Sequence, residues 1–256
     1  MNIKQFNNVN VGGIETACID RQQITDLIMN IATQYRADDS NKGTPYLIFD
    51  NNGHAISFAN TNSEFKQQLA MADLVHADGQ SIVSFSKRLK GHAIPERSAT
   101  TDMIHDIAEM QNRPLRHFLL GGKDDVVTQA AELLDNKHPN FTVAGLHHGY
   151  FSENEEKRIC DLINQTKPDV LWVGLGKPKE QAFCIRNKSR LDVPVVITCG
   201  GCYNYITGDY PRAPIWMQNA GIEWVHRVAT NPRQLFMRYL LTNPHAIYCV
   251  FAKKQS

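Results

Sequence analysis

The sequence predicts an α/β protein with a mostly parallel sheet, helices on both faces and a C-terminal helical appendage. Short apolar runs alternate with segments of helix length between residues 46 and 198, which is the pattern of a parallel sheet joined by crossover helices. After Arg212 this alternation stops, and aromatic residues recur at helical spacing between prolines. We therefore divide the chain into an α/β core, residues 1–211, and an appendage, residues 212–256.

The individual elements follow from the length of each run and from the turn residues beside it. Apolar runs of strand length predict strands at 46–49, 74–77, 116–120, 141–144, 169–173 and 193–198. A polar turn is expected at 50–53, and helices are expected at 63–71, 124–134, 153–165 and 180–190.

Two further helices are predicted in the appendage. The first covers Trp216 to Val228 and ends at Asn231-Pro232. The second begins at Gln234 and is expected to end at Asn243-Pro244, because proline cannot continue the hydrogen bonding of a helix.

Composition and charge narrow the classes of function. With 42% hydrophobic and 21% charged residues, the 256-residue chain is typical of a globular protein. The appendage has six Lys or Arg and one acid, hence a formal charge of +5, which leaves −4 for the rest of a chain whose total is +1. A basic segment of this kind favours contact with phosphate groups or with an anionic membrane surface. We expect no nucleic-acid partner.

The N-terminus is too polar for a signal peptide, and no apolar run approaches the ~18 residues of a membrane-spanning helix. We therefore expect a cytoplasmic protein that touches a membrane only peripherally. Cys199 and Cys202 have the spacing of a redox or zinc motif, but no second pair completes a zinc site. We interpret them as reduced, packed thiols.

Three predicted strands end in glycine-containing turns. Such turns let backbone N–H groups approach phosphate oxygens, and ligands of parallel sheets bind at the carboxyl ends of the strands. Any one of them alone is typical of a tight turn, whereas three together favour a site for a nucleotide diphosphate. The glycines are Gly121, Gly122, Gly174, Gly176, Gly200 and Gly201. None completes a dinucleotide fingerprint or a P-loop.

Metal chemistry and cofactors are not expected. The chain has no Asp-x-Asp pair, and His147 and His148 are adjacent, so we predict that they point apart and serve structural or polar contacts. Helix N-termini and Arg or Lys side chains would then neutralise a diphosphate. Asp78, after the strand at 74–77, is a candidate general base for sugar transfer; the alternative is that it caps the next helix.

Several motifs occur together in a fixed order. They are Ala77-Asp-Gly79, Glu96-Arg97, Phe118-Leu-Leu-Gly-Gly122, His148-Gly-Tyr-Phe151, Pro168-Asp-Val-Leu-Trp-Val-Gly-Leu-Gly-Lys-Pro178, Gly208 with Arg212-Ala-Pro214, and Glu223-Trp224 with Arg227. This set, between about Tyr46 and Ala252, resembles the WecG/TagA/CpsF family of bacterial glycosyltransferases.

The resemblance implies a Rossmann-like catalytic core and a membrane-docking appendage. It also implies metal-independent, inverting transfer of a sugar from a UDP-sugar donor to a polyprenyl-diphosphate-linked acceptor, in exopolysaccharide or other cell-envelope glycan synthesis. The alternatives are a nucleotide-binding regulator or a nucleotide-sugar oxidoreductase on the same fold. Self-association as a homo-oligomer is compatible with each.

Carried over by motif, the resemblance makes Asp78 the catalytic base and gives Arg97 contact with acceptor phosphate or leaving group. The appendage arginines would clamp a diphosphate. The other positions that we expect at the substrates are Asn52, Lys177, Gln181, Arg212, Arg227, Arg233 and Arg238, together with the six glycines.

The chain departs from the family pattern at three places. Asp50 replaces a threonine, and it could bind a sugar hydroxyl or share the role of base with Asp78. Thr100 stands where a glycine is usual after the Glu-Arg motif. In Pro178-Lys-Glu-Gln181 the acid and the amide are exchanged.

Overall fold

The computed structural model describes residues 6–37, 43–110 and 113–252, with the backbone alone at residue 234. The strands are β1 (Asn8–Val11), β2 (Ile14–Ala17), β3 (Tyr46–Asn51), β4 (Leu74–Ala77), β5 (Leu115–Gly121), β6 (Phe141–His147), β7 (Val170–Gly174) and β8 (Val195–Thr198). The helices of the first half are α1 (Arg21–Ala37), α2 (Gly53–Ala59), α3 (Ser63–Ala70), α4 (Gln80–Ser86) and α5 (Thr100–Glu109). Those of the second half are α6 (Asp124–Lys137), α7 (Glu156–Thr166), α8 (Lys179–Asn187), α9 (Cys202–Thr207), α10 (Ile215–Asn219), α11 (Glu223–Thr230) and α12 (Pro232–Phe251). A short 3₁₀ turn, Glu153–Glu155, precedes α7.

Six strands form one parallel sheet in the order β4-β3-β8-β7-β5-β6, and β1 and β2 form a separate antiparallel hairpin. Every residue of β7 is buried. Such continuous apolar strands are typical of parallel sheets, because helices cover both faces. The predicted α/β, Rossmann-like architecture is confirmed.

The chain forms two compact units. The first comprises the described residues within 21–49 and 100–209, and the second those within 6–20, 50–99 and 210–252. Residues after 212 therefore belong to a unit that also contains the hairpin, β4 and the helices α2 to α4. The predicted boundary at residue 212 and the membrane-docking role of the appendage stay predictions.

The appendage differs from the prediction in two respects. The single helix expected over Trp216 to Val228 is divided into α10 and α11 at Gly221, whose φ of 73° is unfavourable for other residues. The predicted helix end at Pro244 is wrong, since α12 continues to Phe251. Proline removes one helical hydrogen bond, but the turns that follow it are held by packing against α2 and by the burial of Ala246 and Val250.

Other differences lie in segments with weak patterns. The sequence indicated no element before residue 46, yet β1, β2 and α1 lie there, and α2, α4 and α5 were also missed. The polar turn expected at 50–53 is partly strand, because β3 extends to Asn51. Cys199 and Cys202 are buried and no disulfide joins them, which confirms their interpretation as packed thiols.

A buried histidine sits in the core of the first unit. The ring of His117, on β5, stacks on that of Phe141 with 3.8 Å between centroids. Its Nδ1 accepts a hydrogen bond of 3.1 Å from Trp172 Nε1, so the proton of the neutral ring lies on Nε2. Within the described residues Nε2 has no hydrogen-bond partner. Burial lowers the pKa of His117 to about 3.

This lowered pKa predicts a loss of stability in acid. The unfolded chain binds a proton at His117 below about pH 6.5, whereas the folded chain does so only near pH 3. The stabilisation is therefore complete above pH 6.5 and is lost as the pH falls towards 3. Between pH 6.5 and 5 the free energy of unfolding should fall by about 2 kcal/mol through this group, at ~1.36 kcal/mol per pH unit. Urea titrations across this range measure it.

A His117→Phe variant is the matched comparison. It should be less stable than the parent at pH 7, because Trp172 Nε1 loses its acceptor. It should also have a shallower dependence of stability on pH between 6.5 and 5. An unchanged slope would assign the acid sensitivity to other groups, such as His105, whose pKa burial lowers to about 4.

Candidate active site

Two carboxylates and one amide meet in the second unit. Asp50 is the next-to-last residue of β3, Asn52 follows that strand, and Asp78 follows β4. Asn52 Nδ2 donates to Asp50 Oδ2 at 2.9 Å and to Asp78 Oδ2 at 3.3 Å. The backbone N–H of Asp78 donates to the carbonyl of Asn51 at 3.0 Å. One amide group thus bridges two acids at the carboxyl ends of two strands.

The orientation of Asn52 is fixed by its place in the chain. It is the N-cap of α2, with extended backbone, and its Oδ1 accepts from the N–H of Ala55 at 3.0 Å. Because the oxygen is used by the helix, the two N–H groups of the amide face the acids. Asp50 is only 4% exposed, whereas Asp78 is partly exposed. Asp78 is therefore the more exposed carboxylate of the pair.

Three predicted arginines of the second unit gather around one acid and one amide. Arg97 Nη1 lies 3.2 Å from Glu223 Oε2, and Arg227 Nη2 lies 2.6 Å from Oε1 of the same carboxylate. Gln218 Oε1 accepts from Arg97 Nη2 at 2.9 Å and from Arg212 Nη2 at 3.3 Å. We call these five residues the arginine cluster. With three guanidinium groups and one carboxylate, the cluster has a net positive charge, which favours binding of an anion.

The other two predicted arginines do not belong to the arginine cluster. Arg233 is exposed in the first turn of α12. The guanidinium carbon of Arg238 lies 4.8 Å from the ring centroid of Tyr239, a cation–π contact. In the described part of the chain, Arg238 Nε is buried without a hydrogen-bond partner.

The predicted glycine turns come together in the first unit, because β5, β7 and β8 are neighbours in the sheet. A Cβ atom on Gly121, whose φ is 133°, would lie 2.2 Å from the carbonyl oxygen of Gly174. One on Gly174 would lie 2.8 Å from that of Gly200. Side chains cannot be accommodated at these distances, so Gly121 and Gly174 permit the close approach of neighbouring strand ends.

Several amides of these turns are already used inside the protein. The N–H of Gly122 donates to the carbonyl of Gly174 at 3.2 Å. The N–H groups of Gly176 and Gly200 donate to one oxygen of Glu180, at 2.9 and 3.1 Å. Sequence reasoning did not identify Glu180 as functional. The feature of the sequence that could have identified it is the exchange of acid and amide in Pro178-Lys-Glu-Gln181.

The remaining predicted positions surround Glu180 or lie beside it. Lys177 Nζ is 3.8 Å from Glu180 Oε1. Gln181 is buried, and its Nε2 donates to the same oxygen at 3.3 Å. Gly201 is exposed and precedes α9 as its N-cap.

The prediction that His147 and His148 point apart is wrong, since their ring centroids are 4.5 Å apart. The alternation of a strand no longer applies there, because β6 ends at His147. Both rings make local contacts: His147 Nδ1 with the carbonyl of His148, and His148 Nδ1 with the N–H of Tyr150. Across residues 6–37, 43–110 and 113–252, no three His, Cys, Asp or Glu side chains are grouped as metal ligands.

Comparison with known sequences decides the family. Residues 9–256 match the profile of the glycosyl transferase WecG/TagA/CpsF family. The chain belongs to this family. As a WecG/TagA/CpsF member it is a glycosyltransferase.

Its relatives include proteins of Staphylococcus aureus strains NCTC 8325 and COL, each 27% identical over 230 residues, which is 89% of this chain and 87% of the relative. Another, from strain MRSA252, is 26% identical with the same coverage. All three are named N-acetylglucosaminyldiphosphoundecaprenol N-acetyl-beta-D-mannosaminyltransferase.

Asn52 both caps α2 and bridges the carboxylates of Asp50 and Asp78, and substitutions can separate these two roles. Asn52→Ala removes the cap and the bridge, and the lost cap alone should lower the free energy of unfolding by about 1 kcal/mol. Asn52→Ser keeps a cap acceptor but cannot bridge two carboxylates, so it should recover stability without recovering transfer activity. Urea unfolding and initial rates measure the two effects. Equal activity of the Ser variant and the parent would contradict a functional role for the bridge.

Proposed function

We propose that this glycosyltransferase moves a hexose or N-acetylhexosamine from a UDP-sugar to an undecaprenyl-diphosphate-linked saccharide, with inversion and without a metal ion. The names of the relatives support a lipid-linked acceptor and favour N-acetylmannosamine as the sugar. The single observation that carries the chemistry is the partly exposed Asp78 carboxylate, held by the Asn52 amide at the edge of the sheet. The product belongs to exopolysaccharide or another cell-envelope glycan.

Asp78 acts as the general base in this proposal. It takes the proton of the acceptor hydroxyl while that oxygen attacks the anomeric carbon of the donor sugar. The new bond joins the anomeric carbon to the acceptor oxygen, and the bond from the anomeric carbon to the diphosphate breaks. UDP leaves with the electron pair, and the sugar is inverted because the displacement occurs once. Asp50, which is buried, supports the orientation of Asn52 rather than reacting itself.

The arginine cluster supplies the positive charge that a departing or lipid-linked diphosphate requires. Guanidinium groups bind phosphate oxygens in pairs and keep their charge at all relevant pH values. Arg97, Arg212 and Arg227 are held in place by Glu223 and Gln218, so less conformational entropy is lost when an anion binds. This preorganised charge supports transfer without a divalent ion.

The appendage is proposed to contact the inner face of the cell membrane. Its helices expose many large apolar side chains: Ile215, Trp216, Trp224, Val225, Phe236, Met237, Leu240, Leu241, Ile247, Tyr248 and Phe251. None of the described helices is long and apolar enough to cross a bilayer. Exposed apolar and aromatic residues on a segment with a formal charge of +5 are typical of a helix that lies on an anionic lipid surface.

The role of Asp78 is tested by UDP release from a panel of UDP-sugars, with a short-chain polyprenyl-diphosphate saccharide as acceptor and EDTA present. Asp78→Asn should lower kcat by at least about 10²-fold and leave the KM for the donor little changed, since base catalysis contributes about 10²–10⁴-fold. Asp50→Asn is the matched control and should cost about tenfold or less. Full activity of the Asp78→Asn variant would remove Asp78 as the base, and dependence on added metal would contradict metal-independent transfer.

Membrane contact is tested by cosedimentation with vesicles of anionic or neutral lipid. The parent protein should bind anionic vesicles and lose binding as the salt concentration rises, because salt screens the basic segment. Replacing both Trp216 and Phe236 by serine should weaken this binding by about tenfold or more. Met71→Ser is the control, because Met71 is as exposed as Phe236 but lies outside the appendage. Equal loss in both variants would argue against a docking surface on the appendage.

A further inference from the structure

Ser98 is a buried serine whose hydrogen bonds end on the strand that leads to Asp78. It is 1% exposed and directly follows Arg97 in the chain. Its backbone N–H donates to the carbonyl of Ala77, the last residue of β4, at 2.9 Å. Its Oγ donates to the same carbonyl at 3.4 Å and lies 3.1 Å from Nδ1 of His76. One serine therefore contacts the last two residues of β4, immediately before Asp78.

The peptide group between Ala77 and Asp78 is held on both of its sides. This peptide bond is trans, which directs its N–H and its C=O in opposite directions. The N–H, which belongs to Asp78, donates to the carbonyl of Asn51 at the end of β3. The C=O, which belongs to Ala77, accepts from Ser98. Asn51 and Ser98 thus bind the group that carries the Asp78 side chain from opposite directions.

The histidine determines which way the serine hydroxyl points. A hydroxyl has one hydrogen, so both contacts are satisfied when His76 Nδ1–H donates to Ser98 Oγ and the hydroxyl donates to Ala77. His76 is completely buried, and a buried polar group that loses its partner is costly. The segment after Arg97 is therefore fixed to the end of β4 by side chains as well as by backbone.

Arg97 extends from the same anchored segment. It precedes Ser98, and its guanidinium group reaches Glu223 at 3.2 Å and Gln218 at 2.9 Å within the arginine cluster. The backbone of Arg97 is thus held by the residue that also holds Asp78. The proposed base and one of the proposed phosphate ligands share a single anchor.

We propose that Ser98 is a positioning residue for the transfer reaction, which acts through Asp78 and does not itself touch the substrates. Fixing the peptide group that carries the carboxylate limits the directions in which this carboxylate can point. Base catalysis depends on that direction, since misplacing a reacting group by ~1 Å can cost about 10²-fold in rate. The hydroxyl of Ser98 therefore contributes to kcat rather than to donor affinity. This inference rests on the proposed role of Asp78 as the base.

The test measures kcat and donor KM of full-length variants by UDP release, with the UDP-sugar of the panel that the parent uses fastest. Ser98→Ala keeps the backbone bond to Ala77 and removes both hydroxyl contacts. It should lower kcat by about tenfold or more and leave donor KM within about twofold. Ser98→Thr keeps a hydroxyl and should recover most of kcat. If Ser98→Ala does not fold, as judged by circular dichroism, Ser98→Cys takes its place, and its weakly bonding thiol should lower kcat by at least about threefold.

A double-mutant cycle separates positioning of the base from general loosening of the protein. Ser98→Ala is combined with Asp78→Asn, a background in which no carboxylate base is left to orient. There it should lower kcat by less than about twofold, because its effect passes through Asp78.

Ser86→Ala is the matched control. Ser86 is as buried as Ser98, and its Oγ donates to the carbonyl of Val83 and accepts from the N–H of Ile94. Its loss should make the protein less stable to urea but keep kcat within about twofold.

The outcomes that overturn the inference are distinct from those that overturn the proposed function. Parent-like kcat in Ser98→Ala, or in Ser98→Cys where it is used, would show that Ser98 does not position the base. Equal losses from Ser98→Ala with and without the Asp78 carboxylate would show the same. An equal loss in Ser86→Ala would assign the effect to loosening of the segment. Full activity of Asp78→Asn would instead reject the proposed base, and a parent that releases no UDP would reject the proposed donor.

Discussion

The amide group of Asn52 is the interaction on which the candidate active site depends. A single planar group begins α2 through its oxygen and holds two carboxylates through its nitrogen. Two negative charges this close repel one another, and the shared donor offsets part of that repulsion. The geometry of the site is consequently set by secondary structure, since a helix start fixes the amide and two strand ends fix the acids.

In the first unit, a single carboxylate, that of Glu180, accepts hydrogen bonds from two glycine turns. Glycine turns beside parallel strands commonly hold the phosphates of a ligand. Here an acid of the protein itself takes two of those amides, and the guanidinium groups gather in the second unit.

The elements that could be predicted from the sequence are the strands of the parallel sheet, which are continuously apolar because both faces of the sheet are buried. The strands from Tyr46 to Thr198 are continuous apolar runs, and their order along the chain implied the parallel sheet. Asp78 and the glycine turns could be located because strand ends share one edge of such a sheet. Helix α12 could not be predicted to pass Pro244, since tertiary packing against α2 outweighs the lost hydrogen bond.

The contacts of individual side chains could not be predicted from the sequence, because many of them join residues that are distant in the chain. Nothing local in Pro178-Lys-Glu-Gln181 indicates that the acid turns inwards to two distant amides. Likewise, Arg97 and Arg227 share one carboxylate although they are far apart in the chain, and Arg233, which had looked equivalent, lies exposed. Residue type and spacing identify candidates, but only the fold decides which of them meet.

The contact between α2 and α12 has a consequence for communication within the second unit. Ser57 Oγ lies 2.9 Å from His245 Nδ1, and the same histidine lies 3.5 Å from Cys249 Sγ one turn later. Because α2 starts at the Asn52 cap, a displacement of α12 acts on the helix that orients the two acids. If a surface that binds α12 displaces this helix, its binding and the binding of a ligand at Asp78 are thermodynamically linked. Each must change the affinity of the other by the same factor, in whichever direction the helix moves.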